Sequence, residues 1–204
     1  MSSALETIVS EDRGGFRTFS PTMINRSDAD IVDSVKAGDR TAFNQLVRTY
    51  QERIYWVALR MVRDHDDALD ITQEVFIRAF EKIDSFRGDA QVYTWFYRIA
   101  VNLSLNHKRK SRLRSFFSLS DREEMIEDGA RTPDESMEQC ENRQLIERAV
   151  ETLPEKQRAV FVLRYFQELP YEEISAILNT TQGGLKANYH HAVRKIERYV
   201  KARL

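Results

Sequence analysis

The sequence predicts an all-α protein: two small helical domains joined by a flexible acidic linker. Three observations carry that prediction. Glycine and proline are scarce, seven and four in 204 residues, so few points interrupt a helix. Apolar residues recur at helical spacing over most of the chain, on one face at a time. The periodicity is lost once, over an acidic stretch holding Gly129 and Pro133, and resumes beyond it.

Residues 1–26 are polar, carry Gly14, Gly15 and Pro21, show no sustained period, and read as a mobile tail. Met23 offers an alternative translation start there. A first domain is expected over residues 27–112. Its short opening helix spans about Asp28 to Ala37 and stops at Gly38. A long helix from about Arg40 to Val62 places Phe43, Leu46, Val47, Tyr50, Ile54, Val57, Ala58 and Met61 on one wide apolar face. A third, from about Asp66 to Ile83, carries Asp66 and Asp67 in its first turn, where carboxylates suit the helix dipole. Its expected buried stripe is Leu69, Phe76, Phe80 and Ile83. The loop "DSFRGDAQ" breaks the pattern before a fourth helix from about Val92 to Lys110, with Phe96, Ile99, Ala100 and Leu103 inward. The acidic linker is placed at 113–134.

The second domain is expected over 135–204. Helices are predicted from about Met137 to Thr152, from Pro154 to about Gln167, and over "PYEEISAIL" from Pro170. After a brief turn at Asn179 and Thr180 a last helix presents Leu185, Tyr189, Ala192, Val193, Ile196, Tyr199 and Val200 on one face. Two helices joined by so short a turn form a helix-turn-helix candidate.

The formal net charge is only −1, but it is unevenly spread. "HKRKSRLR", His107 to Arg114, has five Lys or Arg and no acid; Asp121 to Glu141 has nine acids against two arginines. Gln182 to Leu204 has six Lys or Arg against one acid, Glu197. Basic surfaces are thus separated by an acidic spacer. A single cysteine, Cys140, excludes an internal disulfide and suits a reducing compartment. No signal peptide and no apolar run of membrane-span length is visible, so a cytoplasmic protein without direct membrane insertion is expected.

Three helix faces are candidate sites. The stretch "TTQGGLKANYHHAVRKI", Thr180 to Ile196, leaves Lys186, Ala187, Asn188, His190, His191, Arg194 and Lys195 outward. These suit duplex DNA, because lysine contacts phosphates and guanine edges and asparagine pairs with adenine; a plain solvated face is the alternative. His190 and His191 are adjacent, hence about 100° apart on a helix, and cannot share a metal unaided. No metal site is expected, and "DHDD" at Asp64 to Asp67 is read as an acid-rich helix start. On the fourth helix Trp95, Arg98, Asn102, Asn106 and Arg109 share a face, with Phe86 and Tyr93 preceding them. An aromatic ring with amides and guanidinium groups is chemistry for single-stranded bases, unless the rings simply fill the core. On the third helix Asp70, Gln73, Glu74 and Ile77 lie opposite the stripe, as a docking surface or an ordinary solvated one. No nucleophile–base pair, phosphate loop or ligand set is visible, so no catalytic residue and no cofactor is expected.

The string "DALDITQEVFIRAFEKIDSFRGDAQVYTWFYRIAVNLSLNHKRK" resembles region 2 of the extracytoplasmic-function (group 4) sigma factors of bacterial RNA polymerase. The string "LPEKQRAVFVLRYFQELPYEEISAILNTTQGGLKANYHHAVRKI" resembles their region 4. The resemblance covers about 27–112 and 135–202, and "SFRGDAQVYTWFYRIAVN" is its most specific part. It implies an alternative sigma factor, not an enzyme, that binds core polymerase at the largest-subunit clamp helices and the flap, reads promoter DNA and opens it. On that resemblance Asp70, Gln73, Glu74 and Ile77 contact core. Phe86 and Asn102 border the pocket for a flipped −10 base, with Tyr93, Trp95 and Asn106 nearby, and Lys108, Arg109 and Lys110 hold phosphates. Thr181, Lys186, Ala187, Asn188, His190, His191 and Arg194 match the −35 reading helix. An anti-sigma factor is the partner the family commonly uses. Where many members have "VGTVKSRLHRA" this chain has "QGGLKANYHHA". Fewer fixed charges there weaken phosphate anchoring and change the sequence read, while two glycines let the backbone approach DNA. A helix-turn-helix regulator acting without polymerase is the rival reading; it leaves the third- and fourth-helix faces unexplained.

Overall fold

The computed structural model describes residues 27–88, 90–117 and 137–203, all helix or connecting turn. The residue-1–26 tail with Met23, and most of the expected linker, lie outside the described residues. Two compact units emerge, one holding residues 27–117 and the segment 176–179, the other 137–175 and 180–203.

The first unit opens with α1 (Ser27–Lys36), then a 3-10 turn (Arg40–Ala42), α2 (Phe43–Val62), α3 (His65–Glu81), a second 3-10 turn (Ile83–Ser85) and α4 (Val92–Phe117). Local chemistry sets these ends. The Asp39 carboxylate accepts from the N–H groups of Thr41 and Ala42, and Asp64 accepts from Asp67 at 2.7 Å. Arg63 closes α2 in the left-handed region, at φ 68°. Helices α2, α3 and α4 pack on one another as a three-helix bundle. Leu46, Tyr50, Ile54 and Val57 of α2, Val75 and Phe76 of α3, and Phe96 and Ala100 of α4 fill its core. Phe96 sits 5.3 Å, ring to ring, from both Tyr50 and Phe76 in edge-on geometry. The Tyr50 hydroxyl donates to the Asp28 carboxylate, which fastens α1 to α2. Burial first, then that bond, pushes the Tyr50 phenol above the ordinary tyrosine range.

Two expectations change here. Leu69 is 41% exposed and lies outside the α3 stripe, which is Ala68, Ile71, Val75, Phe76 and Ala79, with Ile83 just beyond. Helix α4 does not stop near Lys110 but runs to Phe117, taking in the first residues assigned to the linker. Lys and Arg are good helix formers, so losing the apolar period there did not end the helix.

The later helices are α5 (Met137–Glu151), α6 (Glu155–Phe161), then a π turn (Val162–Phe166), α7 (Tyr171–Leu178) and α8 (Gln182–Lys201); all but residues 176–178 of α7 fall in the second unit. Arg158 donates to the carbonyls of Glu151 and Leu153 at 2.6 and 3.1 Å and so closes the end of α5. The π turn shows in the wide bond from Gln167 N–H to the Val162 carbonyl. Leu163 and Phe166, both within it, are fully buried. Both α5 and α6 pack against α8, whose buried residues are Leu185, Ala192, Ile196 and Val200; Tyr189 and Val193 are only half-buried.

Candidate nucleic-acid interface

Rings step outward at the start of α4. Phe96 is fully buried; Trp95 stacks near it at 5.7 Å and 22°, and Phe86 lies 5.0 Å beyond Trp95. Trp95 and Phe86 are half-buried, so an edge of each meets solvent. Lys36 of α1 donates to the Phe86 carbonyl at 2.6 Å and holds the loop in place. Sequence reasoning missed Lys36, and a pairing across fifty positions leaves no local signal. Tyr93 was expected beside the rings. It is instead a core residue, 5% exposed and 6.0 Å from the Tyr97 ring, because it falls on the α4 face that packs inward.

From Trp95 the face continues along α4. Asn102, Asn106, Arg109 and Lys110 are exposed; Lys108 is half-buried. At a rise of 1.5 Å per residue, Trp95 and Arg109 stand about 21 Å apart on this face, room for several unstacked nucleotides. His107 lies 3.5 Å from the Asp67 carboxylate, joining α4 to α3. Burial raises the Asp67 pKa, opposed by His107 and Lys108.

On α3, Asp70, Gln73 and Ile77 are exposed, Ile77 by 53%. Glu74 accepts from Arg78 at 2.6 Å, so its charge is already matched within the helix. Leu69 joins this face, four residues before Gln73 and eight before Ile77, and gives it a second apolar residue.

The end of the helix-turn-helix is set by Asn179 at φ 49°, and by Thr181 as N-cap of α8. The Thr181 hydroxyl accepts from Gly184 N–H at 3.3 Å. A Cβ on Gly184 would sit 3.3 Å from that hydroxyl and 3.4 Å from the Thr180 methyl; one on Gly183 would meet nothing within 4 Å. The Gly184 N–H is thus engaged by the cap. Lys186, Ala187, His190, His191 and Arg194 are exposed. The Lys186 ammonium lies 5.9 Å from the Tyr171 ring, whose other neighbour is the Arg164 guanidinium at 5.1 Å. Tyr171 and Arg164 were not foreseen as supports of Lys186. Asn188 is half-buried and donates its amide to the Gly184 carbonyl at 2.9 Å, rather than pointing freely outward. The imidazoles of His190 and His191 diverge, with centroids 6.1 Å apart. Among the described residues no group of three metal-ligating side chains occurs. Beside these exposed side chains, Gln157 of α6 and His191, Arg194, Lys195 and Arg198 of α8 line a basic groove relieved only by Glu197.

Family models match at both sites: Sigma-70 region 2 over residues 46–114 and Sigma-70, region 4 over residues 143–196. The chain is 37% identical over 182 residues to the ECF RNA polymerase sigma-E factor of Escherichia coli K12, covering 86% of this chain and 95% of that protein. It belongs to the extracytoplasmic-function sigma factors. The RNA polymerase sigma-H factor of Pseudomonas aeruginosa is another relative, 32% identical over 183 residues with the same coverage. Among solved structures this sigma factor shares its fold with the Bartonella quintana sigma factor RpoE, seen in complex with the anti-sigma factor NepR. That match has a TM-score of 0.68 and 22% identity, over 78% of this chain and 96% of the other. CnrH in complex with the cytosolic domain of CnrY matches at a TM-score of 0.64 and 19% identity, over 87% and 99%. The region 2 match spans the exposed faces of α3 and α4, and the region 4 match takes in the exposed face of α8. No described helix of this sigma factor is long and apolar enough to cross a membrane.

Proposed function

We propose that this sigma factor binds core RNA polymerase and starts transcription at its own set of promoters, reading the −35 element with α8 and opening the −10 element with α4. The observation that carries the reading is the presence of both matched regions, in order, each with an exposed polar face in its own unit. Region 2 is taken as 27–112 and region 4 as 135–204. Asp70, Gln73, Glu74 and Ile77 are assigned to core binding, with Leu69 added. Phe86, Trp95, Asn102 and Asn106 are assigned to unpaired −10 bases, and Lys108, Arg109 and Lys110 to phosphates. Tyr93 supports the rings from the core. Thr181, Lys186, Ala187, Asn188, His190, His191 and Arg194 are assigned to the −35 duplex.

The protein works by binding energy and has no catalysis of its own. A base stacked on an aromatic ring gains about 1–3 kcal/mol, comparable with the few kcal/mol that extrusion from the stack costs. Core polymerase then holds what one ring alone would not. Acting with core places the protein in the cytoplasm. The solved relatives in complex with NepR and CnrY support an anti-sigma partner for this chain as well.

Run-off transcription with core polymerase and a fragmented genomic library tests this reading. Discrete start sites that depend on the protein are expected, together with co-purification of core. Absence of both, or tight site-specific duplex binding by the free protein with no effect on initiation, would overturn it in favour of a polymerase-independent regulator.

A further inference from the structure

Resting on the assignment of α8 to the −35 duplex, we infer that Asn188 is an acceptor-first base reader that selects an amino-bearing base edge, adenine foremost, and rejects guanine. A free asparagine side chain is ambivalent. Its carboxamide carries two donor hydrogens and one acceptor oxygen, and rotation about its last bond presents either end. Here the ambivalence is removed. The group 2.9 Å from the Gly184 carbonyl must be the amide nitrogen, because two oxygens cannot bond there without a hydrogen. With the nitrogen turned back along the helix, Oδ1 is the end left over. Among the described residues no hydrogen-bond partner is found for it, and the Asn188 side chain is only half-buried.

In the major groove adenine offers a donor at N6 beside an acceptor at N7, whereas guanine offers two acceptors, O6 and N7. An outward Oδ1 accepts from adenine N6, and the second amide hydrogen remains for N7. Facing guanine, the same oxygen meets O6, acceptor against acceptor. Cytosine, with its N4 amino donor, satisfies Oδ1 alone and ranks second. Pinning also settles the side chain before DNA arrives, so less rotamer freedom is lost on binding. Exposed neighbours Lys186 and His191 lie on the same helix two before and three after. Lys186 supplies charge to the phosphates, and neither residue contests the Asn188 position.

The test is transcription by holoenzyme made from the full chain and core polymerase, on a promoter library randomised across the −35 element and read by sequencing the transcripts. Wild type is compared with Asn188→Ala and Asn188→Asp. Wild type is expected to prefer adenine over guanine by about tenfold or more at one position, the range typical of a good base contact. Asn188→Ala flattens the preference at that position only. Asn188→Asp cannot donate to the Gly184 carbonyl but keeps oxygen acceptors. It retains discrimination against guanine while losing overall promoter strength, through repulsion from the phosphates. Core binding and far-UV circular dichroism of both variants are expected to match wild type. A guanine preference that depends on Asn188, or a base profile unchanged in Asn188→Ala, overturns the inference and leaves the −35 role of α8 standing. A wild-type profile flat across the whole −35 element overturns that role and the inference together.

Discussion

Gly183 and Gly184 sit side by side in the first turn of α8, yet alanine should act differently at each. Replacing glycine by alanine in a helix gains about 0.4–1 kcal/mol where the backbone is already helical and space is free. At Gly183 nothing lies within 4 Å of the added Cβ, so Gly183→Ala should collect that gain. At Gly184 the Cβ arrives 3.3 Å from the Thr181 hydroxyl, which is itself 3.3 Å from the Gly184 nitrogen. Relief by a few tenths of an ångström lengthens a cap bond that is already long. A lost N-cap costs about 1 kcal/mol, enough to cancel the alanine gain. For a unit of this size 1 kcal/mol corresponds to about 4–8 °C in Tm. Gly183→Ala is therefore expected to raise the far-UV melting temperature of the second unit by about 4 °C, and Gly184→Ala to leave it within about 2 °C of wild type. Both tryptophans, Trp56 and Trp95, belong to the first unit, so the fluorescence-detected transition is an internal control that stays in place. In a Thr181→Ala background the cap is already gone, and Gly184→Ala should become stabilising. Equal stabilisation by the two alanines in the wild-type background would refute the cap-crowding argument.

Charge on the apolar part of the α3 face, in Leu69→Glu/Ile77→Asp, should lower affinity for core polymerase by at least tenfold in a pull-down titration. Melting should barely change, because both side chains are largely exposed. Trp95→Ala should reduce permanganate-detected −10 opening by about tenfold, the loss of one stacked base. Tyr93→Ala should instead act on stability, by about 3 kcal/mol, because that ring is in the core. Tyr50 keeps its proton in the folded state to a higher pH than in the unfolded chain. Its contribution is therefore complete below about pH 10 and declines as pH rises, by about 1.4 kcal/mol per pH unit. Tryptophan-monitored unfolding at pH 9.5 to 11 should show that decline in wild type and a shallower one in Tyr50→Phe.

Helical periodicity and the scarcity of breakers made the all-α class and the order of the helices legible, because those signals are local. The α2 face read from spacing is buried in the structure at Leu46, Tyr50, Ile54 and Val57. Leu69 shows where spacing fails: it fits a stripe drawn through Phe76 and Ile83, but the neighbours of α3 cover the adjacent arc centred on Val75 and Ala79. Tyr93 fails in the opposite direction, since an aromatic beside a loop carries no mark of which way the following helix will face. The π turn at Val162–Phe166 is equally silent, because the apolar spacing of VLRYF fits an ordinary α-helix just as well.

What the sequence determined by itself was the helical class, the family through its two strings, and the three faces that carry polar groups at helical spacing. Propensity, period and motif are properties of neighbouring residues, and they survive without coordinates. Tertiary structure alone decided which of the named residues face outward and in what state. It sent Tyr93 inward and Leu69 outward, tied Phe86 to Lys36, backed Lys186 with Tyr171, and turned the amide of Asn188 onto Gly184. Each of these depends on which arc of a helix its neighbours cover, or on which acceptor a rotating side chain finds, and neither is written in the order of the residues.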